Sequence, residues 1–256
     1  MNIMKNTTQE KTQAMRGDFN FIVPAVVPSL IQGRDAEALY NEVSKTIKSG
    51  VWYDENSQTM KGSSTFLAAR VDSAVRALGQ GIRVATLADL SRPEIMGMIK
   101  DRFYSDTPAI VFRSTEDSFE PNEAIIKQLA PMIEQKAGNL KLPCLVTGFD
   151  VKPSKSREGY GLDLVARPDF AVLQDDRLSG KYDGKNFSTI DENGLPNFDK
   201  SGSRIWFARN QGISGLYLDG DLDLSSRYYD VGSLADSNDS GRVALVRDLS
   251  ASAQKK

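Results

Sequence analysis

Four stretches in the first half of the chain carry apolar residues at helical spacing. Between Asp35 and Gly50, the residues Leu39, Tyr40, Val43 and Ile47 fall on one face, with Asp35 as a cap and Gly50 as a stop. Leu67, Val71, Val75 and Leu78 make a second such face, opened by Ser63-Ser64-Thr65 and closed by Gly79. A third helix is predicted to begin at Ser91, where Glu94 completes a capping-box pattern and Ile95, Met98, Ile99 and Phe103 supply the stripe. The fourth run, Asn122 to Ala137, carries Ile125, Ile126, Leu129 and Ile133. Pro131 removes an internal hydrogen bond there and is expected to kink or split the helix.

Beyond residue 140 the pattern shortens. Leu142–Val151, Leu162–Ala166, Phe170–Leu173 and Ile205–Ala208 are brief apolar runs rich in Val, Phe and Ile, separated by Gly, Asp, Asn or Pro, and they read as strands. The turn dipeptides Asp183-Gly184 and Asn193-Gly194, the latter followed by Leu195-Pro196, predict a loop-rich β region between Asp175 and Ser203. Helices early and short strands late indicate an α+β fold and not a doubly wound one. No internal repeat is present. The expected organisation is one domain over residues 19–248, with disordered tails at 1–18 and 249–256.

The C-terminal segment has the sharpest pattern. From Leu216 to Leu224 the even positions are Leu216, Leu218, Gly220, Leu222 and Leu224, and the odd ones are Tyr217, Asp219, Asp221 and Asp223. Period two predicts a strand with one buried face, the leucines anchoring it and the tyrosine and aspartates in solvent. Burying four leucines contributes roughly 6 to 12 kcal/mol before conformational entropy is charged, enough to fix the register. Leu222 is then a core residue, and a charge there should unfold the chain. After a polar loop from Ser225 to Gly232 come Leu234, the run Asp236-Ser237-Asn238-Asp239-Ser240-Gly241, and a closing strand from Arg242 to Val246.

Composition narrows the chemistry. The formal charge of -2 offers no basic footprint for nucleic acid or anionic lipid. No apolar stretch has the length of a membrane span, and residues 1–18 lack the apolar run of a secretory signal, so a cytoplasmic or virion-associated protein is expected. The single cysteine, Cys144, lies in an apolar strand and reads as a buried thiol. There is no histidine, which removes Ser-His-Asp and Cys-His catalysis and His-ligated zinc. Carboxylates, Lys, Tyr and Ser are what is left for chemistry.

One absence is positional. No Lys, Glu, Gln, Trp or Met occurs from Gly212 to Ala253. Those are the five types that a codon ending in a pyrimidine cannot encode, whereas Asn, Asp, Ser, Tyr, Gly and Arg are all reached from an Asn codon by changing adenines alone. The exposed vocabulary of the segment is that of antibody-like loops: rigid amphipathic anchors with adaptable polar neighbours.

With these features the sequence resembles the variable proteins of diversity-generating retroelements, in which adenine positions of a C-terminal region are mutated by error-prone reverse transcription. The residues carrying the resemblance are Arg204-Ile205-Trp206-Phe207-Ala208-Arg209, the frame Ser214-x-Leu216-x-Leu218-x3-Leu222-x-Leu224-x-Ser226, and Leu234-Ala235-x-Ser237-x3-Gly241-Arg242-Val243. Upstream, Arg83 to Leu90 and the segment from Leu178-Ser179-Gly180 to Phe198-Asp199 resemble the constant part of archaeal and dark-matter members. The resemblance implies a C-type lectin fold and a solvent-facing patch, within residues 212–246, that binds a protein or surface ligand without catalysis or cofactor. Carried over by position, the ligand-binding residues would be Gly215, Tyr217, Asp219, Gly220, Asp221, Asp223, Ser225, Arg227, Tyr228, Tyr229, Asp230, Asp236, Asn238 and Asp239.

Other readings compete. Asp219, Asp221 and Asp223 alternate as calcium ligands do, but Leu224 stands where an EF-hand needs Gly, and Asp230 where it needs a bidentate Glu. Asp175-Asp176 and Asp191-Glu192 are candidate acid pairs for a hydrolase, and also ordinary turn residues. A virion or structural component, or a lectin-like protein with one fixed partner, is the remaining class. Gly159-Tyr160-Gly161 and Lys61-Gly62-Ser63-Ser64 lack the strand-to-helix context of a phosphate loop and read as turns.

Overall fold

The computed structural model describes residues 26–28, 33–79, 81–156, 158–226 and 234–247. The two expected tails lie outside these residues. The fold is α+β, with five helices and thirteen strands among the described residues.

Helix α1 (Gly33–Val43) buries Ala36, Leu39 and Val43. It stops short of the expected Gly50; Ile47 still reaches the core, from the turn that follows. Helix α2 (Thr65–Ala77) starts as expected, the Ser64 side chain accepting from the Leu67 N–H. The expected third helix forms only over Pro93–Ile99, leaving Phe103 beyond its end, and a short helix that was not expected precedes it. In α3 (Leu87–Leu90) the capping box is Thr86 with Asp89, and α4 (Pro93–Ile99) begins on Pro93 with no side-chain cap. The Ser91–Glu94 box does not form, because the Ser91 hydroxyl donates to the Ala88 carbonyl and Glu94 takes the Arg92 guanidinium. Helix α5 (Glu120–Ala137) runs through Pro131 as one helix and ends on left-handed Gly138. Pro131 sits on its exposed side, where water can satisfy the carbonyl that loses its partner.

Strands β1 (Val26–Pro28), β13 (Ala244–Arg247) and β4 (Ile82–Val84) form a small antiparallel sheet with β13 in the middle. The expected closing strand is thus β13. Strands β2 (Trp52–Asp54) and β3 (Thr59–Lys61) make a hairpin. The main sheet has the order β7-β6-β5-β11-β12-β10-β8-β9. Its members are β5 (Ser105–Phe112), β6 (Cys144–Pro153), β7 (Leu162–Gln174), β8 (Lys185–Ile190), β9 (Pro196–Phe198), β10 (Arg204–Ala208), β11 (Ile213–Leu218) and β12 (Leu224–Ser226). Only the β10–β12 pairing is parallel.

The two strands expected over Leu162–Ala166 and Phe170–Leu173 are one, β7. Between the Thr147–Ala171 and Phe149–Ala166 pairs, four residues of β7, Arg167 to Phe170, bulge opposite the single Gly148. Gly148 faces that bulge with φ 73, and a Cβ there would lie 2.3 Å from the Asp169 carbonyl oxygen. Pro168 is tolerated because β7 is an edge strand.

Residues alternate between two cores on opposite faces of the main sheet. Ile110, Phe112, Val146, Phe149 and Ile213 pack under α1, α2 and α5. Val111, Leu145, Trp206, Leu216, Leu218 and Leu224 pack on the other face with Leu87, Leu90, Ile95 and Ile99. Cys144 is buried in the first core, as expected, and burial pushes its thiol up to about 12.

Candidate ligand-binding surface

The frame of the C-terminal segment can be followed residue by residue. Leu216, Leu218 and Leu224 all enter the second core and are 1% exposed or less. Ser214 and Ser226, at the opposite end of the β11–β12 pair, are also fully buried and joined hydroxyl to hydroxyl at 2.9 Å. Arg113 locks them: its guanidinium donates to the Ser214 hydroxyl at 2.8 Å and to the hydroxyl and carbonyl of Ser226, and its Nε donates to the Leu178 carbonyl. Buried hydroxyls without such partners would be costly.

The second part of the frame is held as firmly. Leu234 is fully buried, its N–H donating to the Tyr160 hydroxyl at 3.1 Å and its carbonyl accepting from the Phe66 N–H at 3.2 Å. Ser237 donates to the Gly50 carbonyl. A Cβ on Gly241 would come within 2.7 Å of both the Ser63 nitrogen and the Tyr104 ring, so only glycine fits.

The strand expected from Leu216 to Leu224 is a hairpin. β11 ends at Leu218, a turn occupies 219–223, and β12 starts at Leu224. Asp219 causes the turn: one of its carboxylate oxygens accepts from the N–H groups of Asp221 and Asp223, each at 3.0 Å. Leu222 sits at φ 68 and is half-buried, so it is not the core residue that alternation predicted. The Asp223 carboxylate accepts from the Ile205 N–H at 2.6 Å, and Arg204 donates to the Leu222 carbonyl at 2.6 Å.

Four of the candidate contact residues are exposed: Asp221, Asp236, Asn238 and Asp239. Tyr217, Asp219, Gly220 and Asp223 are half-buried. Gly215 and Ser225 are buried and are corrected: β11 and β12 lie inside the sheet, where both faces are covered. Arg227, Tyr228, Tyr229 and Asp230 lie outside the described residues.

The exposed groups meet around the segment Asp101–Tyr104. The Asp101 N–H donates to the Gly220 carbonyl at 2.9 Å, holding the tip of the hairpin. The Tyr104 hydroxyl accepts from the Asn238 N–H at 3.0 Å, and the Tyr104 carbonyl accepts from the Arg242 N–H at 3.0 Å. The Tyr104 ring meets Tyr217 edge to face, 6.0 Å between centroids. The hairpin tip and the 236–240 loop thus flank one aromatic pair.

Below that pair lies Asp106, the cross-strand partner of Tyr217 and only 4% exposed. Burial pushes its carboxyl up to about 7, against the opposing effect of a hydrogen bond with Ser63. Burial, then the nearby Asp106 charge, pushes the Tyr104 hydroxyl up to about 12. Asp219 is likewise pushed up to about 6, burial being the main cause. Tyr104, Asp106, Ser63 and Arg113 lie more than a hundred residues from the segments they support, and no local spacing marks them.

Among the described residues no group of three or more acidic, cysteine or histidine side chains is arranged to hold a metal ion. Asp219 and Asp223 each use one carboxylate oxygen on backbone N–H groups, Asp219 on Asp221 and Asp223, and Asp223 on Ile205. Of the acid pairs, Asp175 and Asp191 are both tied to Arg177 and Asp176 to Lys181, as turn residues are. No helix among the described residues is long and apolar enough to cross a membrane. No protein-family model, curated protein or solved structure matches the chain.

Proposed function

We propose that this chain is a non-enzymatic binding protein with a C-type lectin-like fold, whose C-terminal surface is diversified by a retroelement. The observation that supports the reading is the separation of positions engaged in the fold from positions that are exposed. Leu234, Ser237 and Gly241 are engaged by distant parts of the chain, while Asp236, Asn238 and Asp239 between them are exposed. Ser214, Leu216, Leu218, Leu224 and Ser226 are buried in the same way around the half-buried Tyr217. The Asp236 and Asp239 side chains can change without altering the contacts that hold the backbone, whereas Asn238 also closes the loop, its side-chain oxygen accepting from the Ser240 N–H at 3.0 Å.

The contact surface is the hairpin tip with Asp221, the loop with Asn238 and Asp239, and the Tyr104–Tyr217 pair between them. Tyr217 is the anchor, a large rigid group that loses little entropy on binding, and the polar side chains around it select. A backbone fixed before binding avoids part of the ordering cost. The ligand is a protein or surface group met by this patch, with no nucleic acid and no membrane insertion involved.

Deep sequencing of the gene from its source population tests the reading. Substitutions are expected at the codons for Tyr217, Asp221, Asp236, Asn238 and Asp239, confined to template adenines and absent from those for Leu216, Leu218, Leu224, Ser214 and Ser226. Variation spread evenly over both sets, or an invariant segment, overturns it in favour of a domain with one fixed partner.

A further inference from the structure

On the reverse face of β11 from Tyr217 the molecule holds a cavity of about 330 Å³. This is near the lower end of the roughly 300 to 1,000 Å³ usual for small-molecule sites. Its floor is the sheet face carrying Ala109, Leu145, Leu173 and Leu216, and one wall is the segment from Val84 to Ala88. Asp72 and Arg76 of α2, Arg167 and Asp169 of β7, and Glu192 with Asn193 from the β8–β9 turn complete the rim.

The rim charges divide into a closed set and an open one. Arg167 spends its guanidinium on Asp72 at 2.7 Å and on Asp169 at 3.0 and 3.1 Å, which accounts for both carboxylates. Asp72, fully buried, also accepts from the Val84 N–H at 2.8 Å and from Arg76 Nε at 2.7 Å. Arg76 therefore has its position fixed by its ion pair with Asp72, and its charge also acts on Asp169, while its two terminal nitrogens make no hydrogen bond to a described residue and its side chain is 41% exposed. Glu192, exposed on the opposite turn, binds no described residue either. The Thr147 hydroxyl, half-buried at the same cavity, is in the same state.

An apolar floor between a fixed guanidinium and an unengaged carboxylate fits a ligand with both charges and an apolar body. We propose that this cavity binds a small zwitterion of the amino-acid class, its carboxylate on Arg76, its ammonium on Glu192 and its apolar part over Leu145, Leu173 and Leu216. An arginine fork suits a carboxylate, and its fixed Nε lowers the ordering cost of binding. The site is separate from the diversified patch and independent of it.

The test is a titration of the full chain followed by the methyl NMR signals of Leu145, Leu173 and Leu216. The probes are L-leucine and 6-aminohexanoate, with 4-methylpentanoate and isoamylamine as ligands lacking one charge. A saturable shift of those methyls by one of the zwitterions is expected, with both singly charged compounds weaker by about tenfold, the loss of one charge-assisted contact. Arg76→Gln and Glu192→Gln should each remove that preference, and Glu192→Gln touches no internal contact, so folding is not at issue. Ala171→Phe, at the exposed mouth, should block binding while the fold is retained. Absence of a saturable shift from both zwitterions, or equal binding of a singly charged compound, overturns the proposal.

Discussion

Asp106 shows how a residue without a local signature can govern a surface. It is buried under the Tyr104–Tyr217 pair, and the folded chain holds its proton more tightly than the unfolded chain, whose carboxyl titrates near 3.8. The stability it contributes is therefore full below that value, falls as pH rises toward about 7, and is level above it. Asp106→Asn should flatten this part of the stability profile, with a difference from the natural chain of a few kcal/mol at neutral pH, read by urea denaturation across pH. Asp219 titrates in the same direction, so the difference between the two profiles, and not the natural profile alone, isolates Asp106. An unchanged slope would refute the assignment. Tyr217 carries the second residue-scale expectation. Tyr217→Ser removes one aromatic contact worth about 0.5 to 1.5 kcal/mol and should leave a folded chain.

At the scale of elements, the leucine alternation held for β11 and β12 and failed between them. Leu216, Leu218 and Leu224 share a core, but a strand running straight through Asp219 would forgo the two N–H bonds its carboxylate makes in the turn. Leu222 consequently has a left-handed backbone that a leucine adopts only at a cost. Leu222→Gly should shift stability by no more than about 1 kcal/mol, since relief of the backbone offsets the lost packing. Leu224→Asp should unfold the chain, because it leaves an unpaired charge in the core. Circular dichroism on the two variants separates them, and equal behaviour would contradict the hairpin. The same logic explains α5, where the sequence shows Pro131 but not which side of the helix faces water.

For the whole molecule, the decisive contact joins β5, the β11–β12 pair and the segment after β7 through one arginine. Arg113→Met should cost about 2 to 4 kcal/mol in denaturant unfolding, since the Ser214 and Ser226 hydroxyls and the Leu178 carbonyl lose charged partners together. A loss under about 0.5 kcal/mol would show the cluster to be incidental. The antiparallel β1–β13 pairing joins the two ends of the described chain and sets β13 between β1 and β4, which anchors the loop at 236–240 on its C-terminal side as the Leu234 hydrogen bonds do on the other.

The sequence by itself determined the α+β class, the faces of α1, α2 and α5, and the inward direction of Leu216, Leu218 and Leu224. Those are local matters: periodicity says which side of an element is apolar, and a cap or a glycine acts on its immediate neighbours. Only the tertiary structure decided that β11 and β12 lie within the sheet, burying Gly215 and Ser225 with the leucines, and that Tyr104, Asp106 and Arg113 support the C-terminal segment. Alternation cannot distinguish a face covered by water from one covered by another layer. A hydrogen bond between residues a hundred positions apart leaves no spacing to read, because what brings them together is the order of strands in the sheet.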